Sequence, residues 1–170
     1  MPIVDISGVS DDARNLANFM QEMLGKVVTS FQSYSMPVPA RTYYTFGAPA
    51  IDCEQLSVSF LQMYIGTPGD EATEPRRCND PRSGTFVISI ARQVPITQAN
   101  GAPPSAQSIQ DASEVSALDA WILMESTKEF DGSWGAYASG LGLGVIATVD
   151  VDSPEGGFQT TRMTITIAIP

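Results

Sequence analysis

The chain contains no histidine among its 170 residues. That removes serine triads, cysteine–histidine pairs and imidazole metal ligands, which together cover much of hydrolytic and metal chemistry. The two cysteines, Cys53 and Cys78, form no Cys-x-x-Cys pair. Without imidazole to complete a ligand set they cannot build a zinc site of the usual kind, and two buried or free thiols are expected. Carboxylates, hydroxyls and glycines remain. Asp70, Glu71 and Glu74 are spaced to collect a hard cation, but no calcium-loop pattern surrounds them and they read as a solvated acidic tip. Asp150 and Asp152 share one face of a strand; acid–base work requires a raised carboxyl in a cleft, and these read as a wet rim. Ser126 and Lys128 stand two apart on a helix and point in different directions. Gly140-x-Gly142-x-Gly144 is followed by a strand, whereas a dinucleotide fingerprint needs a helix N-terminus there to hold pyrophosphate. No catalytic residue, metal or cofactor is therefore expected, and the chain is not read as an enzyme.

The elements that carry these residues follow from periodicity. Leu16, Met20, Met23, Val27 and Phe31 recur at spacings of three and four, so residues 10–31 predict an amphipathic helix capped by Ser10. Residues 41–46 predict a short aromatic strand. In 54–65, Leu56, Val58 and Phe60 alternate with Ser57 and Ser59 before the pattern turns apolar on both sides from Leu61, which predicts an end covered twice. Residues 66–84 hold three prolines and no periodicity, predicting a long loop at the tip of a hairpin whose second strand is 85–92. In that strand Phe86, Ile88 and Ile90 face inward against Thr85, Ser89 and Ala91. Ser105 caps a second helix to about Phe130, with Ile109, Ala112, Val115, Leu118 and Ile122 as its predicted inner stripe. Its C-terminal half, with Trp121, Leu123 and Met124, is apolar nearly all round, which predicts burial by the sheet and by the following Gly-rich loop. Strands are expected at 145–151 and 162–169, the latter with Met163, Ile165, Ile167 and Ile169 inward. The sum is one domain spanning 1–170 in the α+β class: a mostly antiparallel sheet of four to five strands, with two long helices on one face.

Composition bears on how such a domain works. Charged residues make up 16% and hydrophobic ones 43%, yet the net charge is −10. Soluble domains usually carry about 25% charged residues. Large uncharged areas are left, and these are commonly buried against partner subunits; a monomer surfaced with Ser, Thr and Gln is the plainer alternative. Nine acids against one base, Lys128, lie between Asp111 and Glu155, while Arg76, Arg77 and Arg82 cluster in an earlier segment. The acidic balance argues against gripping nucleic acid and remains compatible with a wall that DNA slides past. The N-terminus carries no basic stretch followed by an apolar one, and no apolar run is long enough to span a bilayer, so a cytosolic origin and no membrane contact are expected.

Several strings match a known group. They are Tyr43-Tyr44-Thr45-Phe46-Gly47-Ala48-Pro49-Ala50, Asp52-Cys53-Glu54-Gln55-Leu56, Pro81-Arg82-Ser83, Pro104-Ser105-Ala106, Asp119-Ala120-Trp121 and Pro154-Glu155-Gly156-Gly157-Phe158-Gln159. The chain resembles the tail terminator proteins of long-tailed, siphovirus-type phages of actinobacteria over most of its length after residue 40. The strings are shape markers, not catalytic signatures. The resemblance implies a virion protein of the tail and neck, assembled in the bacterial cytoplasm: a homohexameric ring on the head-proximal end of the tail tube. Such a ring stops tube polymerisation and offers its other face to a head–tail connector or stopper, and genomic DNA passes through its lumen without specific binding. Ring contacts are head-to-tail and need two unlike surfaces per subunit. Arg76, Arg77 and Arg82, with Trp134 and Tyr137 on the Gly-rich loop 131–144, are the candidate contact residues, because Arg and aromatics contribute most at interfaces. Taken singly, each also fits a plainer role, a solvated loop for the arginines and a core position for the tryptophan. Two competing functions remain: another ring-forming neck component between portal and tail, and a small-molecule-binding or enzymatic domain using a groove between helices and sheet.

Overall fold

The computed structural model describes residues 11–69, 81–99, 101–129 and 145–169. In chain order the elements are α1 (Asp11–Ser33), β1 (Arg41–Phe46), β2 (Gln55–Ile65), β3 (Arg82–Gln93), α2 (Ala106–Ser126) with a 3₁₀ turn at Thr127–Glu129, β4 (Ile146–Val151) and β5 (Phe158–Ile169). The five strands make one sheet in the order β1-β2-β3-β5-β4. Along α1 the expected stripe is inside: Leu16, Met20, Met23, Val27 and Phe31 are buried together with Phe19. The helix stops where Ser35 turns left-handed, at φ 55°, with Met36 N–H donating to the Phe31 carbonyl (2.9 Å) and Ser35 N–H to that of Gln32 (3.0 Å). This is the Schellman closure, with serine where glycine is usual. For α2, the Ser105 cap is formed, its Oγ accepting from Ser108 N–H at 3.1 Å. No helix of the described residues is long and apolar enough to cross a membrane.

One face of the sheet meets the helices. Leu56 stands opposite Ile90 and Val58 opposite Ile88. Ile88 in turn faces Met163, and Phe86 faces Ile165. These side chains and the buried stripe of α1 join one cluster with Ile122 and Leu123 of α2. A run of rings crosses it: Phe19 lies 5.2 Å from Phe86, Phe86 5.3 Å from Phe60, and Phe60 5.9 Å from Phe46. Helix α1 packs on β1 and β2, and α2 on β5, β4 and β3.

The α+β class with two helices holds, and the sheet is mixed. β2–β3, β3–β5 and β4–β5 are antiparallel as expected, but β1 runs parallel to β2. A parallel neighbour forces the connection to cross a face of the sheet, and here residues 47–54 do so without a helix, in fewer than the dozen or so residues usual for a crossover. The Gln55 side-chain amide donates to the Ala50 carbonyl at 2.8 Å. Gln55 points away from the helices, so the crossover lies on the face opposite them.

That second face is covered too, which overturns an expectation. Ser57, Ser59, Ser89, Thr85 and Ala91 are buried, not outward. Besides the crossover, residues 66–69 fold over this face: Ser83 Oγ donates to the Gly66 carbonyl (2.7 Å), and Gly69 lies so close to Ile146 that a Cβ there would meet its Cδ1 at 2.7 Å. With φ at 90°, position 69 calls for glycine twice over.

Candidate functional site

Of the predicted contact residues, Arg82 is the one the structure describes. It is exposed, and it opens β3 where a loop through Gly84 was expected; in register it lies beside Ile65 and Ile169. Among the described residues it has no ion-pair partner. Arg76, Arg77, Trp134 and Tyr137 lie outside the described residues, as do Cys78, the acidic tip at Asp70, Glu71 and Glu74, and the Gly140–Gly144 motif. Of the other charges examined from sequence, Asp152 and Lys128 are paired locally. Asp152 pairs with Arg162 at 2.6 Å, Asp150 stands opposite the same arginine in the ladder, and both carboxylates lie at a wet edge. Lys128 is held by Glu125 at 2.7 Å, while the Ser126 hydroxyl is buried and donates to the Leu123 carbonyl.

Two apolar surfaces were not legible as such. The first is the far end of β2. A bulge falls between Phe60 and Gln62, where Phe60 pairs with Phe86 and Gln62 already with Thr85. The extra residue, Leu61, reverses the alternation beyond it, so Met63 and Ile65 point to the helix side like Phe60 and not to the serine side. Among the described residues the predicted double cover is not formed: Leu61, Met63 and Ile65 are all nearly half exposed. Phe46, opposite Phe60 on edge strand β1, extends this surface at 59% exposure.

The second surface is the outer side of α2. The predicted inner stripe is wrong at Ile109 and Leu118, which are exposed; the buried residues are Ser116, Asp119, Ile122, Leu123 and Ser126. An ion pair sets this rotation. Arg92, on the helix side of β3, donates from Nε to Asp119 Oδ2 (2.9 Å) and from Nη2 to Oδ1 (3.0 Å). Its Nη2 also donates to the Pro37 carbonyl (3.0 Å), and its guanidinium lies 5.7 Å over the Phe31 ring. Ser116 Oγ adds a 2.8 Å bond to Gln159 Oε1. Burial pushes the Asp119 carboxyl above its ordinary pKa, and the hydrogen bonds and charge of Arg92 oppose that rise without cancelling it. Replacing a buried pair of this kind by apolar side chains is often neutral or stabilising, whereas removing one partner leaves an uncompensated buried charge. With Asp119 inside, Leu118, Trp121 and Met124 are turned away from the sheet, Trp121 at 58% exposure, and the Gly-rich loop 131–144 expected to cover this half of the helix lies outside the described residues. Glu114, one turn before Leu118, is exposed and has no partner among the described residues.

Among the described residues, two grooves stand out. One of about 760 Å³ lies between the crossover (Pro49, Ile51) and the β4–β5 turn, floored by Thr160 and the Arg162–Asp152 pair. One of about 420 Å³ lies between Pro37, Val38 and Val115 above Arg92. The first is lined by the carboxylates Asp152 and Glu155 and the hydroxyls Ser153 and Thr160 beside Arg162, with Asp152 already paired to Arg162. No protein-family model and no curated protein matches this chain.

Proposed function

We propose that this chain is a structural subunit of the phage tail's head-proximal end, built like a tail terminator. Six copies close into a ring that caps the tail tube, stops its polymerisation and presents a joining surface to the head connector. The observation that carries this reading is the pair of unlike apolar surfaces. One is on the β1–β2 flank and the other on α2 above the β5–β4 flank, at opposite sides of the sheet. A head-to-tail ring requires two different surfaces of this kind on each subunit. Single exposed apolar residues are ordinary, but grouped ones on a charge-poor surface mark contacts.

The strings that resemble tail terminators support the reading by their positions. Pro104-Ser105-Ala106 forms the cap of α2, Asp119-Ala120-Trp121 carries the buried carboxylate and the exposed tryptophan, and Gly47–Ala50 with Asp52–Leu56 forms the crossover and its entry into β2. A net charge of −10 suits a lumen through which a polyanion passes without sticking.

The test is to mix purified protein with polymerising tail tubes and image both ends. The expected result is a ring on one end and arrest of growth at that end. Continued elongation with bare ends would refute the reading, and binding to filled heads in place of tubes would favour another neck ring.

A further inference from the structure

Each apolar surface carries one lone charge, and the two are of opposite sign. On the β2–β3 end, Arg82 stands in register with half-exposed Ile65, beside Met63. On the outer side of α2, Glu114 stands one turn before Leu118 and two before Trp121. Neither charge has a partner among the described residues, whereas the neighbouring Lys128, Arg162 and Arg41 are all paired within the subunit. Opposite charges, one in each patch, are complementary across a contact that joins the two patches.

We infer that the outer face of α2 on one copy docks against the β2–β3 end of the next, with Glu114 meeting Arg82 and Trp121 lying on Met63 and Ile65. The occupant of each surface is a second copy of this chain. This rests on the ring reading and specifies the contact by which the ring closes. A guanidinium can donate two parallel N–H bonds to a carboxylate while the tryptophan supplies the apolar area; Arg and Trp are enriched at the centre of interfaces. Because the two surfaces differ, the contact is head-to-tail and repeats around a ring instead of ending at a dimer.

Charge reversal tests the pairing directly. Glu114→Arg alone, or Arg82→Glu alone, sets like charges against each other at every contact and should weaken each contact about tenfold or more. An equimolar mixture of the two variants should regain rings, because in alternating order every contact again joins opposite charges, and a six-membered ring permits alternation. Trp121→Gln gives a reading independent of charge: association should fall by a similar factor with an unchanged melting temperature. Rings are followed by sedimentation velocity. If any single variant assembles as well as the parent, or the mixture stays apart while the parent forms rings, the pairing is wrong and the ring reading stands. If the parent stays monomeric alone and with tail tubes, the ring reading fails and takes the pairing with it.

Discussion

At the scale of single residues, the structure turns on polar groups placed inside. Ser57 and Ser59 hydroxyls are fully buried on the face opposite the helices and make no hydrogen bond among the described residues. A buried unsatisfied hydroxyl costs about 1–3 kcal/mol. Ser57→Ala and Ser59→Ala should therefore each stabilise the fold by about 1 kcal/mol, read as a rise in the denaturant midpoint; a drop would mean that the hydroxyls are satisfied in solution. Arg92 and Asp119 behave oppositely. Arg92→Met alone leaves a buried carboxylate unpaired and should cost about 3–5 kcal/mol, while Arg92→Met with Asp119→Leu should recover most of it. If the double variant is no more stable than the single, the pair contributes more than orientation. Neither feature was legible in the sequence. Ser57 and Ser59 alternate with apolar neighbours and read as solvent-facing, and the partner of Asp119 lies 27 residues back along the chain. Periodicity reports faces and is silent on long-range pairs.

At the scale of elements, existence and order were readable and orientation was not. The helices and strands of the described residues fall where the 3.6 and 2.0 periods place them, within a few residues. Three departures share a physical origin. Alternation carries no strand direction, so a crossover of a few residues at 47–54 looks like a turn between antiparallel strands. One inserted residue, Leu61, reverses the faces beyond it. Helix α2 is apolar on two sides, so pattern alone cannot choose which side goes inward; the ion pair at Asp119 does. The choice is testable within one helix. Ile122→Ala should lose about 2–5 kcal/mol, whereas Leu118→Ala, on the exposed side, should change stability by no more than about 0.5 kcal/mol. Equal losses by chemical denaturation would contradict the rotation.

At the scale of the whole molecule, the acidic, charge-poor character fits a subunit that hides its flanks against copies of itself. Arg82 was legible as a contact candidate because it is basic in an acidic chain. The outer face of α2 was not, since Leu118 belonged by spacing to the predicted core. The measurement that bears most directly on ring formation is the mass of the species in solution, by native mass spectrometry across a dilution series, with and without tail-tube ends. The account predicts a discrete closed species at six times the 18.2 kDa chain mass, with no dimer or open oligomer accumulating. A single-chain mass at every concentration, unchanged when tube ends are supplied, would contradict it.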